Sequence, residues 1–340
     1  MKIQNIIQIT LALILVSFII AGCGITVETD QAIDEDIESK DSLYGGKKII
    51  FINSYHEGFE WSDREQAAAE AVLKDTGVEL KVIYMDTKNN PSEEFKTAAG
   101  IKAKDEIEAF KPDLIITVDD NAFKYVIMPF YKDSDIPVVF GGINGDSSVY
   151  GTPYTNTAGI EESPLVGKMV ENLLIYAKGT RAGYLSQDVL SEQQNIEFYS
   201  KSIEGGIAEV ALVANGVEWQ EKFLELQDKV DFLIIGACGN LAEWEPEETK
   251  QFVLQNSKIP SITQGDYMMD YSLMGMVLVP EEHGEWTANT ALEILGGKKP
   301  NDIPVVINKQ GRLFLNARIA NELGIVFLPE QIKNAQKIYD

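Results

Sequence analysis

The chain has 340 residues, 45% hydrophobic and 24% charged, which suits a globular protein of about two domains and excludes wholesale disorder, collagen and a multi-span membrane protein. Lysine and arginine total 29 against 53 acids, a formal charge of −24, so the basic surface that neutralises phosphates is missing and no nucleic-acid partner is expected. Two cysteines, Cys23 and Cys238, are too few for a disulfide framework or a cysteine zinc cluster.

Residues 1–22 read as an export signal. Lys2 precedes the apolar run Ile9–Ile20, broken only by Thr10 and Ser17 and too short to span a bilayer comfortably. The run ends in Ile20-Ala21-Gly22-Cys23, which resembles the bacterial lipobox. That resemblance implies cleavage before Cys23, acylation of its thiol, and a mature protein held by lipid at the extracytoplasmic face of the cell membrane. Residues 23–46, with seven acids, one lysine and a closing Gly45-Gly46, read as an acidic tether.

From Lys47 short apolar runs alternate with helical stretches, the signature of βαβ units. Ile49–Ile52 reads as a strand, and Ser62-Asp63-Arg64-Glu65 as a capping box opening an alanine-rich helix that Gly77 stops. Glu79–Met85, Leu114–Val118 and Pro137–Phe140 read as further strands; helices open at Ser92 and cover Asn121–Met128. After the turn-rich residues 143–159 the alternation restarts. Helices are expected from Ser163-Pro164, from Ser191 with Gln194 as cap, over Glu218–Lys229 and over Pro246–Gln255. The strands between them are Ala182–Ser186, Ala208–Val213, Phe232–Ile235, Ile259–Thr263 and Gly275–Val279. A helix over Glu282–Leu295, two short strands and a helix from Asn316 close the chain.

The expected fold class is therefore α/β, with two doubly wound parallel-sheet lobes joined by crossover strands. Residues 47–155 plus 282–340 are assigned to the first lobe and residues 156–281 to the second. Such lobes form a cleft at the carboxyl ends of their strands, where a small-molecule ligand belongs. Asn53, Ser54, Tyr55 and His56 follow the first strand, and Asp119, Asp120 and Asn121 follow the Leu114 strand. Asn144 ends the fourth strand; Asp188, Asn240, Asp266 and Tyr267 end strands of the second lobe. Hydroxyl, amide and ring groups at these places suit a carboxylate or a stacked ring, and the acids suit an ammonium. Gly141-Gly142-Ile143-Asn144-Gly145 lacks the spacing of a dinucleotide fingerprint, and no cofactor is expected. His56 and His283 are the only histidines and neither has a second ligand at short spacing, so no metal site is expected. No nucleophile, P-loop or zinc-hydrolase motif occurs, so no catalytic residue is assigned.

On Asp113–Asn121, Ile136–Phe140, Asn156–Ile160, Lys258–Ser261, Ala291–Pro300, Ile303-Pro304 and Ala317–Ile325, the globule resembles the ABC-transporter substrate-binding protein family of the type I periplasmic-binding fold. That resemblance extends over Lys47–Ile325 and includes lipoproteins that bind aromatic amino acids. It implies a monomeric, lipid-anchored binding protein that delivers an amino acid or related zwitterion to an ABC permease, with Asp266 as the ammonium partner. Two other readings stand beside it: a ligand-binding partner of a membrane sensor kinase, and an exported hydrolase using cleft acids. The first loop, Asn53–Asp63, is longer and more aromatic than the family's, and Thr117-Val118-Asp119-Asp120 replaces a plainer turn.

Overall fold

The computed structural model describes residues 43–238 and 241–340. In chain order the first segment gives β1 (Lys48–Asn53), α1 (Glu60–Leu73), β2 (Glu79–Tyr84), α2 (Glu93–Phe110), β3 (Leu114–Val118), α3 (Asp119–Ala122), β4 (Val138–Asn144) and β5 (Thr157–Glu162). A π-helical stretch, Phe123–Tyr131, continues α3. The middle gives α4 (Val166–Leu174), β6 (Ala182–Gln187), α5 (Leu190–Ser202), β7 (Ile207–Val213), α6 (Gly216–Gln227), β8 (Phe232–Ile235), α7 (Pro246–Asn256), β9 (Ser261–Thr263) and β10 (Met274–Leu278). The chain closes with α8 (Pro280–Leu295), β11 (Val306–Ile307), β12 (Gly311–Asn316), α9 (Ala317–Leu323), α10 (Pro329–Asn334) and β13 (Ala335–Tyr339).

Two sheets result. The first has the order β11-β5-β4-β3-β1-β2, with every pairing parallel. All five residues of β3 are buried, as a strand covered by helices on both faces requires. The two-residue period of β1 sends Ile50 and Ile52 into one core with Phe123 and Phe140, and Ile49 and Phe51 into the opposite core with Ala288 and Ala291. The second sheet runs β13-β12-β10-β9-β8-β6-β7; β12 lies antiparallel to β10 and the other pairings are parallel. Its core is built around Trp219, which stacks on Phe223 at 5.2 Å.

Sheet membership divides the chain differently from the expected boundaries. Residues 157–162 pair with β4 in the first sheet, and β12 and β13 pair into the second, so the tail beyond Ile307 returns to the second lobe. The chain therefore crosses between lobes three times, after Glu162, after Leu278 and after Ile307. These crossings are laced together. Ser163 N donates to Asn308 Oδ1 at 2.6 Å, and the Glu282 carboxylate accepts from the backbone N–H of Lys309 and Gln310 at 2.8 and 2.7 Å. Glu281 takes a bidentate bond from Arg64, 2.9 Å on each oxygen, and lies 3.0 Å from Arg312 of β12.

Two expected caps do not form. Helix α1 begins at Glu60 with Phe59 in the cap position, so Ser62 is already inside it and Glu65 is free for another task. Helix α5 begins one residue before Ser191, with Val189 in the cap position. The caps at Ser92 and Asn316 do form, accepting from Phe95 N and from Arg318 N and Ile319 N.

Candidate ligand cleft

The first sheet reverses its strand order between β1 and β3, the place where open parallel sheets bind ligands. Ser54, just beyond β1, donates its hydroxyl to Val118 O at 2.6 Å and accepts from Ala122 N at 2.8 Å, tying the two strand ends together. Thr87 extends the staple: its hydroxyl donates to Ser54 O at 2.6 Å and accepts from Asn121 Nδ2 at 2.9 Å. Asn53 is fully buried and accepts from Tyr55 N at 2.9 Å. These groups fix the backbone that carries Asp119.

Asp119 is buried in a left-handed conformation, φ 63°, that non-glycine residues seldom adopt, and its Oδ2 has no hydrogen-bond partner. Burial is the first reason its carboxyl sits well above the ordinary range; the charges of Glu65, Glu162 and Asp120 raise it further, while Lys88 opposes them. Glu65 reaches the same region from α1. Its Oε1 lies 2.9 Å from His283 Nδ1 of α8, and both side chains are sealed from solvent. Burial pushes the Glu65 carboxyl up to about 8, with Trp61 partly offsetting it, and burial holds His283 below its usual value. Burial thus favours the uncharged form of each group, and Glu65 Oε2 and His283 Nε2 have no hydrogen-bond partner.

The backbone around the pair is built to admit it. Gly142 has φ +69°, and a Cβ there would stand 2.9 Å from Glu65 Oε1; a Cβ on Gly284 would meet the Glu65 carbonyl at 1.9 Å. Only glycine lets β4 and α8 approach α1 this closely.

Glu162, the last residue of β5, completes the group. One donor atom each from Glu65, Glu162 and His283 lies within 4.8 Å of the other two, close enough to share protons or one cation. Burial lifts the Glu162 carboxyl to about 7, opposed by His283 and aided by Glu65 and Asp120. No donor among the described residues hydrogen-bonds that carboxylate.

Glu162 faces a cleft of about 420 Å³. Trp61, Asn144 and Gly145 join it from the first lobe; Asn195, Phe198, Gln264, Gly265 and Tyr267 line the second; Pro164, Val277 and Leu278 lie at the crossings. Asn195 donates to Glu192 Oε1 at 3.2 Å, and Gln264 accepts from Tyr199 OH at 2.7 Å, so both amides are oriented from behind. A larger hollow of about 650 Å³ lies between β2 and α2, but a single lobe supplies all its walls.

Of the residues expected at the site, Asn144 and Tyr267 line the cleft, and Asn144 Nδ2 donates to Asp120 Oδ2 at 2.6 Å. Asp120 also accepts from Tyr150 OH at 2.7 Å. Asn53, Ser54, Asp119 and Asn121 are not among the lining residues. Tyr55 packs on Phe59, and burial followed by the charges of Asp119 and Asp120 raises its hydroxyl pKa. His56 lies 3.8 Å from Asp86, outside the lining. Asp188 is exposed and accepts from Gln193 Nε2 at 2.8 Å. Asp266 is exposed beside the lining, which takes its neighbours Gly265 and Tyr267 instead. Asn240 and Cys23 lie outside the described residues. Sequence reasoning missed Glu65, Glu162, His283, Asn195, Phe198 and Gln264. Short spacing in the chain does not reveal this group, because Glu65, Glu162 and His283 come from three distant elements. A signal was present for Phe198 and Asn195, which share one helical face at i, i+3 spacing.

Comparison with known proteins identifies the fold. The chain is similar over 86% of its length, and 99% of theirs, to two solved proteins at 19% identity: an ABC domain in complex with L-Trp from Streptococcus pneumonia, TM-score 0.53, and a ligand-free, open substrate binding protein with adhesive properties from Clostridium difficile, TM-score 0.66. An arabinose binding protein from Geobacillus stearothermophilus matches 81% of the chain and 98% of its own at 13% identity, TM-score 0.52. These likenesses establish the type I periplasmic-binding fold. No curated protein matches the chain in sequence. The family model for ABC transporter substrate binding proteins matches residues 63–338, a family of extracytoplasmic binding proteins rather than enzymes. The chain belongs to the ABC transporter substrate-binding protein family.

Proposed function

We propose that this protein is a monomeric, lipid-anchored solute receptor that captures a small amine-bearing molecule, an amino acid or related zwitterion, between its lobes and delivers it to an ABC permease. The observation that carries this reading is the cleft itself, with aromatic and amide groups from the second lobe facing Trp61, Asn144 and Glu162 of the first. Its volume falls in the range of small-molecule sites. The L-Trp bound by the Streptococcus pneumonia domain supports an aromatic amino acid as one candidate. The lipobox-like Ile20-Ala21-Gly22-Cys23 supports the anchor.

Binding is tested by thermal shift over amino acids, amines and nucleosides. Ligand at 100 times its Kd adds about 2.7 kcal/mol to stability. Saturable stabilisation without turnover supports capture, and conversion of a ligand to product refutes it. Replacing Cys23→Ala should release the protein from the membrane fraction. Pull-down from detergent extracts separates a permease from a sensor kinase as recipient.

A further inference from the structure

We infer that the cleft selects an organic cation, an ammonium on an apolar or aromatic body, over the matching zwitterion, and that Glu162 is its counter-charge. This rests on the solute-receptor reading and narrows it to one ligand class.

Charge in the lining is one-sided. Among the described residues Glu162 is its only acid, and no lysine or arginine belongs to it. Behind Glu162 stand Glu65 and Asp119, each with a carboxylate oxygen that is buried and unpartnered. The cations nearby are engaged elsewhere: Arg64 and Arg312 hold Glu281, and Lys88 lies 5.0 and 4.9 Å over the Tyr55 and Phe59 rings. A ligand carboxylate would therefore meet no basic side chain in the lining. Of the helix N-termini that could receive a carboxylate instead, those after β3 and β6 carry Asp119, Asp120 and Glu192 in their own first turns; α4, which opens just beyond Pro164, carries no acid, so a ligand carboxylate would meet only that end and neutral amides.

The rest of the lining suits a cation. Trp61, Phe198 and Tyr267 offer three aromatic rings beside Glu162, the combination that binds ammonium by charge and by ring quadrupole together. Asn144, Asn195 and Gln264 leave amide groups for neutral polar parts of the body. A chain with a formal charge of −24 also steers cations toward itself and repels anions.

Isothermal titration of the whole exported chain tests this with matched probes: phenethylamine, tryptamine, putrescine and choline against phenylalanine, tryptophan and ornithine. At least one amine should bind tenfold or more tightly than any of the amino acids, and Glu162→Gln should weaken that amine tenfold or more while the variant keeps its circular dichroism spectrum. An amino acid that binds as tightly as its amine overturns the inference and leaves the receptor reading intact. Zn²⁺ or Mn²⁺ binding with no amine bound also overturns it. Failure of every organic probe overturns it as well, and the receptor reading falls with it only if the wider thermal-shift screen also finds no ligand. If Glu162→Gln does not fold, Tyr267→Ala, at an exposed ring, serves instead, and an unchanged amine affinity there refutes the aromatic half.

Discussion

Replacing Glu162→Gln in the unliganded protein should change how stability depends on pH. The carboxyl is raised from 4.5 to about 7, chiefly by burial. At about 1.4 kcal/mol for each tenfold, that rise corresponds to about 3 kcal/mol. Water in the open cleft should reduce the measurable part to about 1.5–2 kcal/mol. The folded state holds a proton that the unfolded chain has released, so this stability is complete below pH 4.5 and is lost as pH climbs through about 7. Glu65 of α1, raised to about 8, and Asp119 beyond β3 act in the same sense. His283 of α8, held below 6.5 by burial, acts in the opposite sense, its contribution being lost as pH falls. All three persist in the variant; losing the Glu162 charge relaxes Asp119 and removes one charge that supports protonated His283, effects secondary to burial at both groups. Urea unfolding at pH values of about 3.5 and 8.5 measures it. Wild type and variant should be nearly equal at the lower pH, where glutamic acid and glutamine are both neutral. At the higher pH the variant should be more stable by about 1.5–2 kcal/mol. Parallel curves would refute the burial of this carboxyl against an acidic wall.

Gly142→Ala should cost about 2–3 kcal/mol, because it combines a left-handed φ with a Cβ 2.9 Å from Glu65 Oε1. Gly145→Ala, with similar φ and open space around it, should cost only about 1 kcal/mol; equal losses in Tm would show that the Glu65 contact is unimportant. Glu281→Ala removes the carboxylate shared by Arg64 and Arg312 and should broaden the interlobe distance distribution seen by spin-label spectroscopy, while lowering stability by about 1–2 kcal/mol. An unchanged distribution would mean that the remaining crossing bonds hold the lobes unaided. Trp219→Ala should cost about 3–5 kcal/mol, since the indole is fully buried in the second core; a loss below about 1 kcal/mol in denaturant titration would contradict that packing.

The β-strands were the most legible part of the sequence. Ile49–Ile52, Leu114–Val118 and Phe232–Ile235 are apolar runs too short for helices and bounded by turn residues, and each forms a buried strand. Lobe membership was less legible because local pattern does not encode pairing. Nothing in Thr157–Glu162 distinguishes a last strand of one sheet from a first strand of the next; hydrogen bonds to β4 decide it. The exposed and half-buried residues of β13 carry no strong apolar period, and their strand exists because β12 offers an edge. Glu65 was misread for a related reason. Ser62-x-x-Glu65 fits a capping box, but Phe59 and Glu60 extend the helix upstream, and the carboxylate turns into the wall toward His283, 218 positions away.

Neither lobe makes the site alone, and the division of labour has an energetic consequence. The first lobe holds the acids; the second supplies Phe198, Tyr267 and the two oriented amides. Bringing the aromatic wall against Glu162 strips water from a carboxylate that has no donor to replace it, so closing an empty cleft costs free energy once that group is ionised. A bound ammonium cancels the cost and turns the same burial into attraction, because the pair then interacts in a poorly solvated space. Each 1.4 kcal/mol of such a penalty on an empty closed form corresponds to about a tenfold bias toward opening. In the proposed receptor, the unpaired acid would make closure conditional on an ammonium ligand.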